Sequence, residues 1–278
     1  MKNEQEKRKI VVIGGTGLIG SKLVAKLNEH GFNAVAASPD TGVNTVTGEG
    51  LTEVLQGASV VVDVSNSPSF EERAATDFFT TSTKNLLKAE GDAGVKHHVA
   101  LSVVGTDVLS EGEGIAGYFR AKLAQENLIT ASPIPYSIVH ATQFFEFIKS
   151  IADASTEGET VRLPPIKVRP MAADEVAAAV GRVAAGNPIN GIADVAGPEV
   201  FQLDEFVRIG LTARQDPRNV VTDKNAGYFG EPVADTTLIP VGEAQIGSTR
   251  LEDWLSVPAN LNPPQKGEAK SEVANAVR

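Results

Sequence analysis

The residues best suited to chemistry meet in "GYFRAK", residues 117–122, where Tyr118 precedes Lys122 by four positions. On a helix, residues i and i+4 share a face, so the lysine ammonium can sit beside the phenol. A free phenol titrates near about 10 and exchanges protons poorly at neutral pH. A neighbouring cation stabilises phenolate and draws that value toward the working range. The same spacing also occurs on ordinary solvated helices. Taken alone, the pair is either a proton-delivering couple or two surface residues.

A second candidate lies a hundred residues upstream. "VVIGGTGLIG", residues 11–20, satisfies both Gly14-x-x-Gly17-x-x-Gly20 and Gly15-x-Gly17-x-x-Gly20. It follows an apolar β-branched run and opens a helical pattern, the setting in which such glycines cradle a dinucleotide pyrophosphate. Glycines there permit a tight turn, close approach of backbone to phosphate, and close packing of helix on strand. The helix N-terminus adds free N–H groups and partial positive charge. Gly14, Thr16, Gly17, Leu18, Ile19 and Gly20 are the expected phosphate contacts; a glycine-rich turn without ligand is the alternative. The next strand ends "AVAASPDTG", placing Ser38 where an NAD site usually has a carboxylate for the ribose 2′-hydroxyl. A hydroxyl tolerates a 2′-phosphate, although no Arg follows to clamp one. NADP is therefore expected first, and NAD second.

These residues need elements to hold them. Residues 9–15, 32–38, 59–66, 97–105 and 135–142 read as strands, and helical stretches separate them. The strands are continuous apolar runs rather than alternating ones, the pattern of a parallel sheet covered on both faces. The predicted fold class is α/β: a Rossmann-type doubly wound parallel sheet with a small C-terminal substrate-capping region. Residues 1–155 form the dinucleotide-binding part and 156–258 the cap. The polar, Pro-rich stretch 259–278 reads as a mobile tail. In the cap, Asp174 and Glu175 are expected to cap the helix "DEVAAAV".

Composition removes several function classes. The 278 residues carry a formal net charge of −10, which argues against a nucleic-acid surface, since phosphate neutralisation needs clustered Lys and Arg. Cysteine is absent, so disulfides, thiolate nucleophiles and Cys-based metal sites are excluded. No stretch approaches the roughly 20 apolar residues of a membrane span. A soluble cytoplasmic protein without a membrane or nucleic-acid partner is expected, and a homodimer is allowed.

The order of the pieces carries a resemblance. "GGTGLIG", "VVVDVSNS", "HHVALSVVG", "YFRAK", "PYSIVHATQFFEF", "MAADEVAAAV" and "ADVAGPEVFQLDEF" resemble the atypical short-chain dehydrogenases/reductases, in the group often called NmrA-like or NAD(P)H-binding. The resemblance covers roughly residues 9–210. It implies that Tyr118 is the acid/base and that Lys122 is its electrostatic partner and a ribose contact. Ser102, in "ALSVVG" near the end of its strand, is the implied carbonyl-polarising hydroxyl. Many relatives have two successive serines there; this chain has Ser102 and then Val103, and Thr106 is a possible substitute. Val64, Ser65 and Thr142, at strand ends, join the expected cofactor contacts. Gln143, Phe144 and Phe145 are the expected substrate contacts: the backbone at Thr142 and Gln143 is expected to meet the nicotinamide, and Phe144 and Phe145 either wall an apolar or aromatic substrate pocket or pack the cap. The implied activity is hydride transfer to a carbonyl, quinone or conjugated acceptor. A non-catalytic NADP-binding regulator acting through a protein partner and an epimerase or dehydratase with a retained nicotinamide are the rivals.

Overall fold

Strand Lys9–Ile13 shows why the apolar runs are continuous. Ile10 and Val12 pack into one core cluster, and Val11 and Ile13 pack into another on the opposite face. Both faces of the sheet are covered, so both side-chain parities are apolar.

The computed structural model describes residues 7–261. Its first part runs β1 (Lys9–Ile13), α1 (Leu18–Glu29), β2 (Asn33–Ala37), α2 (Leu51–Leu55), β3 (Ala58–Asp63), α3 (Glu72–Ala93), β4 (His97–Val103), α4 (Thr106–Leu109), α5 (Ala116–Thr130) and β5 (Tyr136–Ala141). The second runs α6 (Ile148–Ala154), β6 (Thr156–Glu157), β7 (Thr160–Leu163), β8 (Lys167–Val168), α7 (Ala173–Ala185) and β9 (Ile192–Ala196). It ends with β10 (Phe201–Gln202), α8 (Leu203–Ala213), β11 (Asn219–Thr222), β12 (Ala244–Ile246), α9 (Leu251–Leu255) and α10 (Pro258–Leu261). The expected tail falls, from residue 262 onward, outside the described residues.

The main sheet has the order β12-β9-β5-β4-β3-β1-β2, and every pairing in it is parallel. From β1 the chain moves to one side to make β2, then crosses back to make β3 on the other. That reversal opens a crevice beyond the C-terminal ends of β1 and β3, where open α/β sheets bind ligands. The fold is the Rossmann-type α/β architecture that the sequence pattern predicts.

The C-terminal part contributes more sheet than its sequence suggests. β12 lies in the turn-rich stretch 214–258 yet pairs in parallel with β9. Gly247 N–H donates to Ala196 O at 2.8 Å, and the Glu175 carboxylate accepts the N–H groups of Ser248 and Thr249 at 2.6 and 3.1 Å. Glu175 therefore anchors this strand rather than capping α7. Asp174 pairs with Lys22 of α1 at 2.7 Å, and the N–H of Ala173 is held by Glu146. A large core cluster around Phe145, Phe206 and Trp254 also contains Phe79 of α3 and Tyr118 and Ala121 of α5, so the C-terminal part packs directly on the helices that flank the crevice. No helix among the described residues is long and apolar enough to cross a membrane.

Candidate active site

The glycine loop is built from backbone. Gly14 has φ +73, and a Cβ there would lie 2.9 Å from Ser65 N and Cα at the end of β3. Only glycine combines that left-handed turn with so close an approach. A Cβ on Gly20 would run into Gly14 O and sit 2.7 Å from Gly15 Cα, so α1 starts hard against the loop. Gly17 is the N-cap and supplies no side-chain cap, leaving first-turn N–H groups of α1 free for an anion. Ser38 Oγ accepts the Thr16 N–H at 3.3 Å, tying the end of β2 to the same loop.

A cleft of about 610 Å³ runs from this loop to α5. It is lined by Gly14, Thr16, Gly17, Leu18, Ile19, Ser38, Val64 and Ser65 at one end, and by Tyr118, Lys122 and Phe144 at the other. Loop and Tyr–Lys pair therefore share one continuous cavity. The remaining sequence candidates stand elsewhere. Gly20 packs beneath the loop. Thr142 Oγ1 donates to Arg169 O at 2.7 Å. Gln143 is buried, and its amide atoms have no hydrogen-bond partner. Phe145 faces the core, 5.5 Å from the Trp254 ring, while Phe147 stacks on Phe144 at 4.9 Å and lines the cleft.

Helix α5 directs its buried face at this cleft. Tyr118 is 9% exposed, and its hydroxyl donates to Asn66 Oδ1 at 2.8 Å. Burial, and secondarily the nearby Tyr228, hold its pKa well above the ordinary phenol value. The expected lowering by Lys122 does not arise, and the one opposing influence is the Asn66 hydrogen bond: the phenol is a firm O–H donor at neutral pH and a poor base. Lys122 is 3% exposed, and its Nζ donates to Leu101 O at 2.9 Å and to Gln125 Oε1 at 2.6 Å. Burial depresses its pKa to about 8, against the opposing pull of Asp63 and Glu126. Gln125 in turn donates to Asp63 Oδ2 at 3.0 Å, and Asp63 Oδ1 accepts both N–H and O–H of Ser65, at 2.9 and 2.6 Å. One hydrogen-bonded chain thus links the lysine to the strand end beside the glycine loop.

Ser102 lies on a different branch. Its hydroxyl donates to the Glu126 carboxylate, which His140 Nε2 also meets at 3.1 Å. Ser102, His140 and Asp194 sit side by side on β4, β5 and β9, in register across the sheet. Ser102 is not among the residues lining the cleft. Sequence reasoning missed Asn66, Asp63, Gln125 and Glu126. A signal existed for two of them: Tyr118, Lys122, Gln125, Glu126 and Ile129 occupy one helical face, and polar residues on a face that must be buried need partners.

The groups that fit a nicotinamide dinucleotide are the Gly14–Gly20 cradle, which side chains would fill, and the buried Lys122 ammonium further along the same cleft. Solved structures share the fold. MoeE5 in complex with UDP-glucuronic acid and NAD superposes with a TM-score of 0.65 at 19% identity, over 89% of this chain and 96% of that one. The dTDP-4-dehydrorhamnose reductase of Bacillus anthracis in complex with NADP gives 0.64 at 15%, over 88% and 91%. The NAD-dependent NDP-hexosamine 5,6-dehydratase TunA gives 0.64 at 13%, over 92% and 97%. At these identities the likeness is one of fold. No curated protein matches the sequence closely. The family described as NAD(P)H-binding matches residues 14–183, from the first glycine of the loop to the end of α7, and this chain belongs to it.

Proposed function

We propose that the protein is an NADP-preferring reductase of a carbonyl, quinone or similar conjugated acceptor. The observation that carries this reading is the continuity of the cleft, which takes in the phosphate-binding loop, Lys122 and Tyr118. When bound, the reduced nicotinamide supplies a hydride. The chain's own residues do the rest. The loop fixes the pyrophosphate, Lys122 meets the ribose, and Tyr118 gives its proton to the acceptor oxygen. A phenol kept neutral by burial suits that direction of reaction. Phe78, Phe144, Phe147 and Pro68 favour a flat, apolar acceptor. Among the described residues Lys122 is the one cation lining the cleft, which speaks against a nucleotide sugar with its own diphosphate.

The test is oxidation of NADPH by a panel of quinones and aromatic ketones. Turnover should fall about 10²–10⁴-fold in Tyr118→Phe, the usual share of a positioned acid, with dinucleotide affinity kept. One observation favours a second reading, that of a dinucleotide-binding regulator: Ser102, the expected polarising hydroxyl, is held by Glu126. Tight NADPH binding with no turnover on any acceptor would select it.

A further inference from the structure

With Ser102 committed to Glu126, the acceptor oxygen needs a second donor beside Tyr118, and the loop after β3 supplies one. Residues 63–71 form a chain of short polar turns. Asp63 holds both N–H and O–H of Ser65, Ser67 Oγ accepts the Ser69 N–H at 3.2 Å, and Ser69 Oγ accepts the Glu71 N–H at 3.1 Å. Glu71 then caps α3, its carboxylate accepting the N–H groups of Arg73 and Ala74. The loop is thus fastened at both ends, and it brings two side chains to Tyr118. Phe70 packs on the Tyr118 ring with 5.0 Å between centroids, while Phe79 and Phe119 meet the ring edge-on at 5.9 and 5.5 Å. The ring is held in place, and rotation of the O–H is the freedom left to it. Asn66 is exposed and lines the cleft next to Tyr118.

The orientation of the Asn66 carboxamide is set by its partners. Oδ1 meets the Ser67 N–H at 3.0 Å, and a backbone N–H can only donate, so this atom is the oxygen and not the amide nitrogen. The Tyr118 O–H donates to the same oxygen at 2.8 Å. Oδ1 therefore holds two donors, while the Nδ2 amino group has no acceptor among the described residues and stands open to the cleft. The other donors at this end are committed. Ser65 Oγ donates to Asp63, and Lys122 donates to Leu101 O and Gln125, which leaves its third proton for the ribose.

We propose that Asn66 is a further catalytic residue: its Nδ2 amino group hydrogen-bonds the acceptor oxygen while its Oδ1 keeps Tyr118 poised beside that oxygen. The proposal rests on the reductase reading. When the acceptor seats, the Tyr118 O–H turns from Asn66 Oδ1 to the acceptor oxygen. As the acceptor carbon gains hydride with its electron pair, the carbonyl π pair withdraws onto oxygen, and that oxygen takes the Tyr118 proton. Solvent returns a proton to the Tyr118 phenolate. Asn66 transfers nothing; its hydrogen bond strengthens as charge develops on the oxygen, as an oxyanion-hole donor's does.

Two variants of similar size separate the two ends of the carboxamide, and thermal unfolding checks that each folds. Asn66→Leu removes donor and acceptor without adding charge. Asn66→Asp keeps an oxygen for Tyr118 and Ser67 but loses the amino group. In both, kcat should fall about 100-fold, the usual cost of one such donor, with NADPH affinity unchanged. A readout without turnover uses 4-nitrophenol bound to the NADP-saturated protein, its ionisation followed by absorbance. Asn66→Leu should raise the pKa of the bound phenol by about one unit, equivalent to about tenfold in binding of the phenolate. Loss of kcat in Asn66→Leu alone would mean that the residue only orients Tyr118, and loss in Asn66→Asp alone that added charge is the cause. Either result overturns the donor role and leaves the reductase reading standing, as does loss in neither variant or a bound phenol that Asn66→Leu does not move. If the wild type turns over no acceptor but Asn66→Leu shifts the bound phenol, the donor assignment stands and the reductase reading falls. If the wild type turns over none and the phenol is unmoved, both fall.

Discussion

The two ends of the cleft are made of different material. At the phosphate end the chain offers backbone: a left-handed glycine, a close approach to Ser65, and the uncapped first turn of α1. At the proton end it offers side chains from three elements, Asp63 from β3, Asn66 from the loop after it, and Tyr118, Lys122 and Gln125 from α5. The first end is fixed by steric exclusion and has one workable geometry. The second is set by burial and hydrogen bonding, so its properties can be tuned without refolding the sheet.

The comparison breaks most sharply at Gly20. Alanine there places a methyl group against Gly14 O and 2.7 Å from Gly15 Cα, contacts that only backbone movement can relieve. The loop must shift off α1, at a cost of about 1–3 kcal/mol in overpacking. Dinucleotide affinity, followed by nicotinamide fluorescence, should drop more than about 100-fold, a loss of over about 2.7 kcal/mol. A variant that binds normally would show that the phosphate end is as forgiving as the other.

The proton end is sharpened by pH. Lys122 has its folded pKa depressed from 10.5 to about 8, so the folded state disfavours the ammonium. Above about 10.5 the group costs nothing; as pH falls toward 8 a penalty accumulates, and below 8 it is complete, about 3 kcal/mol at roughly 1.36 kcal/mol per pH unit. Unfolding free energy should therefore rise between pH 8 and 10.5. The buried phenols act oppositely. Their folded values are raised, so stability is lost only as the unfolded chain ionises above about 10. Denaturant titrations across this range should show the rise in wild type and lose it in Lys122→Met. No change in slope would mean that Lys122 is better solvated than its contacts suggest.

What the sequence disclosed follows the same division. The glycines could be read because their role is local: a positive φ and a missing Cβ are written into the residue type. The parallel sheet could be read because both faces of each strand are buried, as at Ile10 through Ile13. The pairing of Ser102 with Glu126 could not, since it depends on how α5 lies over β4, and a serine at a strand end looks the same whether free or bound. The expected lowering of the Tyr118 pKa failed for a related reason: spacing gives the neighbour but not the desolvation. β12 was hidden because three residues in a polar stretch carry no period, and its pairing is enforced by Ala196 and Glu175.

The outer side of the phosphate end gives the smallest expected effect, at the adenosine ribose. There the end of β2 offers Ser38, whose hydroxyl already accepts the Thr16 N–H, with Pro39, Asn44 and Thr45 beside it along the cleft. Among the described residues no carboxylate lines this end to repel a 2′-phosphate, and no Arg or Lys lines it to hold one. The preference for NADPH over NADH should then be modest, about tenfold or less in dissociation constant, or about 1.4 kcal/mol. It should also vary little with ionic strength, because a hydroxyl and backbone donors are screened less than a surface cation. Ser38→Asp should reverse the preference by placing like charge against the phosphate, while Asn44→Arg should strengthen it. A wild-type preference above about 100-fold that collapses with salt would mean a cation reaches the ribose, and the backbone-built end would then owe its selectivity to a side chain after all.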